Sequence, residues 1–247
     1  MVSPAAYATS VAIGVAVCVL LCAAARRRRG RATAWAGRLL GVVLAAVVVS
    51  WTVASVRQGS WTLAGSLPLA LCDVAVIVAA VACWWPHPLL VELTWFWGLA
   101  GTLQAVITPD LGVPFPHLVF FQYVIGHLGI VIAALYLVVG LGLRPRAGAV
   151  TRTFTITVAY TGLVGAVDGV TGGNYMYLRT PPQAWTLLRV LGPWPWYTVS
   201  AAGVAVVLLF ALDLPFRVRR GEEARRRGLN RSAARMVHPG DRLPLPG

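Results

Sequence analysis

Seven apolar runs, each long enough to cross a lipid bilayer, constrain the fold of this 247-residue chain more than any other feature. A helix needs about 20 apolar residues to cross a hydrocarbon core of about 30 Å. Arginines flank these runs and are almost absent inside them. The pattern predicts an all-α, polytopic membrane protein of about seven transmembrane helices, at residues 5–25, 34–55, 67–85, 89–108, 118–140, 154–170 and 196–214.

The distribution of charge predicts the orientation of these helices. All 21 basic residues are Arg. With the N-terminus outside, seventeen lie on the cytoplasmic side, Arg38 lies within a run, and only Arg57, Arg179 and Arg189 lie outside. Cytoplasmic loops of membrane proteins carry such an excess of positive charge. We therefore expect the N-terminus outside, the C-terminus in the cytoplasm, and a location in the cell (plasma) membrane.

The amino-acid composition indicates which kinds of molecule the protein binds. The chain is 58% hydrophobic and 12% charged, whereas soluble domains are about one quarter charged. The net charge of +13 does not form a basic face on a soluble domain, so we expect no nucleic-acid partner. We expect membrane lipids as partners, with anionic headgroups drawn to the Arg-rich cytoplasmic segments.

Three regions follow from this pattern. Residues 1–33 hold the first transmembrane helix and an Arg-rich cytoplasmic loop, and residues 34–215 form a six-helix membrane domain. Residues 216–247 are predicted to be a disordered, basic cytoplasmic tail, because Arg, Gly and Pro follow the last apolar run.

The adjacent thiol and carboxylate of Cys72 and Asp73 are the first candidates for chemistry. An acidic side chain in a membrane helix costs about 2.5–3.5 kcal/mol at the helix centre, so such residues commonly mark functional sites. The four cysteines form no CxxC or Cys/His cluster with metal-ligand spacing. We expect no metal, no other cofactor and no disulfide scaffold.

Most other polar residues of the apolar runs fall in the outer half of the predicted membrane domain. At 1.5 Å per helical residue, Cys72 lies roughly 8 Å and His127 roughly 13 Å below the outer edge. We take Cys72 and His127 as candidate catalytic residues. The candidate substrate-binding residues, in the same outer half or in the loops above it, are Asp73, Gln104, Asp110, Gln122, Asp168, Asn174 and Tyr175.

A Cys and a His can together perform acyl transfer. A thiol in an apolar site is inert, but an imidazole within hydrogen-bond reach can convert it to a nucleophilic thiolate. An ionised Asp73 beside the thiol would oppose this step. The alternative interpretations are that Cys72 only fills space in a helix, that His127 joins two helices by a hydrogen bond, and that Asp73 and Asp168 are structural.

Five stretches carry a resemblance to a known family. They are LPLALCD (67–73), ELTWFWGLAGTLQAVITPDL (92–111), FPHLVFFQYVIGH (115–127), GGNYMYLRTPP (172–182) and LGPWPWY (191–197). In this order they resemble the bacterial YwaF-type integral membrane family over roughly residues 35–215. That family is similar to the eukaryotic transmembrane protein 164 group, described as lipid acyltransferases with a Cys nucleophile and a His partner on separate helices. The resemblance implies Cys72 as nucleophile and His127 as base.

Three hypotheses therefore follow from the sequence. The first is a lipid-directed acyltransferase or hydrolase with a Cys–His pair in an outward-facing cavity. The second is binding or transport of a small solute or lipid headgroup through the same polar cavity, without catalysis. The third is a structural membrane component, in which changes of these residues affect stability alone.

Overall fold

The computed structural model describes residues 3–28, 30–182 and 186–237, and within them all regular secondary structure is helical. The helices are α1 (Pro4–Arg27), α2 (Arg31–Arg57), α3 (Leu71–Trp84), α4 (Pro88–Ile107), α5 (Leu118–Gly140), α6 (Ala149–Thr171), α7 (Leu187–Val190) and α8 (Trp196–Val237). All but α3 and α7 are long and apolar enough to cross a membrane, which gives six candidate spans in the described residues. The predicted all-α, multi-pass architecture is confirmed, while the exact number of spans and their orientation stay predictions.

The third predicted span, 67–85, is shorter as a helix than expected. α3 has 14 residues and begins only at Leu71. Pro68 lacks a backbone N–H and restricts the preceding residue to extended conformations, and Ala70 is also extended, with φ −62° and ψ 149°. The chain therefore reaches the start of α3 as an irregular segment.

The last helix is longer than expected, so the prediction of a disordered tail is corrected over residues 216–237. α8 continues through Pro215 to Val237. Asp213 accepts hydrogen bonds from Arg217 at 2.6 Å and from Arg220 at 3.0 Å, and these pairs join the turns on both sides of the proline. The following residues are mostly good helix formers. Residues 238–247 of the predicted tail lie outside the described residues.

The seven longer helices alternate between two ends of one bundle. Arg26 Nε donates to the Val139 carbonyl at 3.1 Å, and Arg220 donates to the Pro145 carbonyl at 3.0 Å. The loops with clustered Arg residues thus gather at one end, which we call the arginine end. The connections 58–70, 108–117 and 172–182 lie at the opposite end, which we call the polar end.

α5 occupies the centre of the bundle and packs against α1, α2, α3 and α4. Its inner face and that of α4 supply much of the apolar core, including Phe96, Ile130 and Leu137. α1, α2, α6 and α8 instead expose large apolar side chains, as a lipid-facing surface requires.

Candidate active site

Cys72 is the second residue of α3, at the polar end of the bundle, and is half-buried. The Thr102 hydroxyl of α4 lies near its sulfur. First-turn N–H groups of a helix have no intrahelical acceptor and carry the positive end of the helix dipole. Cys72 therefore lies at the positive end of the α3 dipole, which favours a thiolate there.

Asp73, the next residue, has a structural role in this arrangement. Its Oδ2 accepts a hydrogen bond from the Ala70 N–H at 3.1 Å, which is one half of a capping box. The carboxylate is thus directed back toward the residue that precedes the helix. Tyr160 supports the same segment, because its hydroxyl donates to the Leu69 carbonyl at 2.9 Å. Asp73 defines where α3 begins and so where Cys72 lies.

Thr102, the partner of the thiol, ends a six-residue π-helical segment of α4 (Trp97–Thr102) and is buried. Two glycines in this segment let α4 approach its neighbours closely. A Cβ on Gly98 would lie 3.3 Å from Ala134 and Ile130, and one on Gly101 would lie 3.3 Å from Leu71. π-helical turns inside α-helices frequently mark functional sites. Here the turn brings a hydroxyl to the start of α3.

His127 lies on α5, stacked against Tyr123 with ring centroids 4.1 Å apart. Its Nδ1 is 2.8 Å from the Tyr123 carbonyl oxygen. A carbonyl accepts but never donates, so Nδ1 carries the hydrogen of the neutral ring and Nε2 carries the lone pair. This is the tautomer that a base acting through Nε2 requires.

Tyr123 connects the surroundings of Cys72 and His127. It stacks on His127 and lies within electrostatic range of Cys72. Its hydroxyl donates to the Ala105 carbonyl at 2.8 Å and accepts from the Asp110 N–H at 3.2 Å. Across the described residues, no hydrogen bond joins Cys72 to His127, so their direct pairing stays a prediction.

The loop above this site is held in an unusual conformation. Met176 and Tyr177 both have φ of 56°, a left-handed value that costs energy for residues other than Gly. The Tyr177 hydroxyl donates to Asp110 Oδ2 at 3.3 Å, and Tyr177 lies within electrostatic range of Cys72. Burial and the adjacent Asp110 carboxylate raise the pKa of Tyr177 to about 12. Tyr177 and Asp110 thus bridge two loops over the candidate site.

Three of the predicted substrate-binding residues organise the loop itself. The Asn174 amide oxygen accepts from the backbone N–H groups of Arg179 and Thr180, at 2.9 and 3.1 Å. Buried Asp168 accepts from the Tyr175 N–H at 2.9 Å. The Tyr175 hydroxyl accepts from the Leu67 N–H and donates to the Leu63 carbonyl, each at 2.9 Å. The described hydrogen bonds of Asn174 and Asp168 hold the loop after α6, and those of Tyr175 join this loop to the segment that leads into α3.

The two predicted substrate-binding glutamines, Gln122 and Gln104, lie within helices rather than in the loop. Gln122 is buried, and its amide nitrogen donates to Ser50 Oγ at 3.1 Å, so its described hydrogen bond serves the contact between α5 and α2. Gln104 is half-buried near the polar-end terminus of α4. Within the residues that the structure describes, no group of three or more His, Cys, Asp or Glu could hold a metal ion.

Sequence reasoning passed over Thr102 and Tyr177 as site residues. Thr102 lies two residues before Gln104, but a lone Thr in an apolar helix gives no signal of its partner. Tyr177 lies in a polar loop, and only its contact with Asp110 distinguishes it from Tyr175. The one sequence signal for Tyr177 was that it lies two residues after Tyr175, a predicted site residue.

Comparisons with known proteins agree with this architecture. The family model described as the TMEM164 family matches residues 1–213, so the match includes α1, which the resemblance over 35–215 omits. Neither the curated proteins nor the solved structures give a significant match. With more than four fifths of its length covered by that family model, and with several apolar helices of membrane-spanning length, the chain is a multi-pass membrane protein that belongs to the TMEM164 family.

Proposed function

We propose that this protein is a thiol-dependent acyltransferase or hydrolase of lipid esters, with Cys72 as nucleophile and His127 as base. We further propose that the protein is of the bacterial YwaF type, that it lies in the plasma membrane, and that its polar end faces outside. One observation carries the proposed activity: Cys72 lies in the first turn of α3 near the Thr102 hydroxyl, and the contact of His127 Nδ1 with the Tyr123 carbonyl leaves Nε2 as the basic nitrogen of the ring.

The reaction would proceed in two balanced steps. Cys72 gives its proton to His127 Nε2, and Sγ attacks the ester carbonyl carbon. The C–O bond breaks, a thioester forms, and His127 returns the proton to the departing alkoxide. An acceptor alcohol or water then loses its proton to His127 and attacks the thioester carbon. The C–S bond breaks, a new ester or a fatty acid leaves, and His127 returns the proton to Sγ, which regenerates the thiol. Proton transfer requires Nε2 within about 3.5 Å of Sγ in the working complex.

The position of the residues matches lipid esters. Cys72 lies at the polar end of an apolar bundle, and glycerol ester carbonyls lie at the edge of the hydrocarbon core. Membrane lipids are therefore the proposed partners. Asp73, Asp168, Asn174 and Tyr175 would hold the site in shape rather than contact the substrate, because each has hydrogen bonds to nearby backbone.

A second candidate function is binding or transport of a solute or headgroup at the polar end. The exposed carboxylate of Asp110, bridged to Tyr177 next to Cys72, is the observation that favours it. Ligand binding that persists in Cys72→Ser, with no acyl-enzyme in the unaltered protein, would favour this function over catalysis.

The test follows transfer of a labelled acyl chain from a phospholipid to the purified protein. We expect a hydroxylamine-sensitive acyl group on Cys72, and we expect its loss in Cys72→Ser and His127→Ala. Thr102→Val should slow acylation by about tenfold, because hydrogen bonds to a charged group contribute about 1.5–3 kcal/mol, whereas Thr102→Ser should largely preserve it.

Cys83→Ser is the matched control, since Cys83 lies at the other end of the same helix and is buried. It should acylate like the unaltered protein. Acyl transfer that continues unchanged in Cys72→Ser would exclude the proposed nucleophile.

A further inference from the structure

A cavity of about 250 Å³ lies at the arginine end, between α2, the end of α3 and the end of α5. A second cavity of about 140 Å³ shares Thr33 and Tyr136 with it as lining residues. Trp84 lines the larger cavity. It lies twelve residues after Cys72 on α3, which is about 18 Å along the helix. The larger cavity is therefore separate from the candidate active site.

Arg38 is the charged group of the larger cavity. Its guanidinium carbon is 5.3 Å from the ring centroid of Trp35 and 5.9 Å from that of Trp84, within the range of cation–π contacts. Over the described residues, Arg38 forms no hydrogen bond or ion pair. Two aromatic rings thus hold a guanidinium whose five donors are unused.

Three carboxylates of this end are paired elsewhere, and a fourth, Glu222, is exposed on α8 and does not line either cavity. Glu92 pairs with Arg146 and Arg152, Asp213 pairs with Arg217 and Arg220, and Glu223 pairs with Arg144. The described residues that line the two cavities include Arg28 and Arg38 but no Asp or Glu. The cavities therefore have positive charge without a described protein counter-ion.

The walls of the larger cavity are fixed by close packing. A Cβ on Gly37 would lie 3.0 Å from the Tyr136 ring, and the Tyr136 hydroxyl donates to the Thr33 carbonyl. A Cβ on Gly41 would lie 2.7 Å from Trp84, so that ring has little freedom to close the cavity. The space exists before any ligand binds.

We propose that this cavity binds the phosphate of an anionic phospholipid from the leaflet at the arginine end. A guanidinium matches phosphate oxygens with two parallel hydrogen bonds. The volume is slightly below that of sites for drug-sized ligands, about 300–1,000 Å³, so it suits a headgroup and not the acyl chains. Exposed Trp35, Leu39 and Val42 beside Arg38 offer those chains an apolar surface.

The experiment measures lipids bound to the purified full chain by native mass spectrometry, with phosphatidylglycerol, phosphatidylcholine or inorganic phosphate added. We expect preferential binding of phosphatidylglycerol. Two variants act by different routes: Arg38→Gln removes the charge, and Ala34→Phe adds bulk at an exposed residue of the cavity wall. Each should weaken binding by about tenfold, the effect of losing a charge-assisted hydrogen-bond pair or the space for it.

Arg27→Gln is the matched control, because Arg27 is exposed at the same end and does not line either cavity. It should bind phosphatidylglycerol like the unaltered protein. Equal weakening by Arg27→Gln would overturn the proposal in favour of general charge attraction. Unchanged binding in Arg38→Gln, or displacement of the lipid by inorganic phosphate at equal concentration, would also overturn it.

Discussion

Cys72 experiences opposing influences that its immediate neighbours control. The adjacent carboxylate of Asp73 would repel a thiolate, whereas a nearby hydroxyl such as that of Thr102 can donate a hydrogen bond to one. Because Asp73 accepts the Ala70 N–H, its carboxylate is turned toward the helix start. Reactivity at this residue therefore depends on how far Thr102 and the helix start offset the charge of Asp73.

The hydrogen bond from Tyr177 to Asp110 should be lost at alkaline pH. The pKa of Tyr177 is raised from 10.0 to about 12 by burial and by Asp110, so the neutral hydroxyl that donates to Asp110 is favoured in the folded state. The stabilisation by this hydrogen bond should be fully present below pH 10 and lost as the pH rises toward 12. The difference in tyrosinate absorbance between the unaltered protein and Tyr177→Phe measures this titration. Asp110→Asn should move it to lower pH, and a transition at 10.0 in the unaltered protein would contradict the assignment.

The residue types of the candidate site were predictable, but their partners were not. Cys72 and His127 are conspicuous because thiols and imidazoles carry chemistry. Asn174 and Tyr175 looked equally suited to bind ligand, yet their described hydrogen bonds go to the backbone of nearby loops. Local sequence does not state which way a polar side chain in a loop points, since that depends on segments far away in the chain.

At the scale of elements, the contact of α2 with α3 depends on the Gly37–Gly41 pair. A Cβ on Gly41 would lie 2.8 Å from the Ala80 carbonyl as well as against Trp84, so the helices would have to separate. Small residues four apart allow membrane helices this close approach.

We therefore expect Gly41→Ala to destabilise the protein by about 1–3 kcal/mol, as overpacking usually does. The measurement is reversible unfolding in mixed micelles. Gly162→Ala is the control: no atom lies within 4 Å of a Cβ there, and Ala in a helix should be neutral or stabilise by about 0.5–1 kcal/mol. Equal losses in both variants would show that the close contacts around Gly41 do not determine the effect.

Helix positions were largely predictable from apolar length, and the errors have local causes. The predicted and observed bounds of α5 coincide at 118–140. α3 begins later than expected because of Pro68, and α8 continues beyond Pro215 because Asp213 pairs with arginines on the following turns. Hydropathy indicates which residues lie in the apolar part of the membrane, but it does not indicate the residue at which a helix begins or ends.

At the scale of the molecule, the buried carboxylate of Glu92 joins separate segments of the chain at the arginine end. Glu92 of α4 is fully buried and accepts hydrogen bonds from Arg146, before α6, and from Arg152, within α6, at 2.8 and 2.9 Å. This cluster connects the central helices with α6, which otherwise exposes much of its apolar surface. α6 is thus held to the central helices at this end by charged contacts of Glu92.

Glu92→Gln should lower the free energy of unfolding by about 3 kcal/mol, because it leaves two arginines without their shared anion. Glu223→Gln is the control, since its pair with Arg144 at 3.1 Å is about half exposed on both sides and should contribute less than about 1 kcal/mol. Thermal unfolding of both variants in the same detergent makes the comparison. A larger loss for Glu223→Gln would contradict the assignment.

The shortness of α3 has a mechanical consequence for the surrounding bilayer. Fourteen residues extend about 21 Å, against a hydrocarbon core of about 30 Å, and Ile77 and Val81 expose one face of this helix. Lipids beside that face must compress, at a cost of fractions of a kcal/mol per Å of mismatch. The protein should therefore be favoured in thin membranes, and elastic energy of the bilayer acts on the helix that carries Cys72 in its first turn.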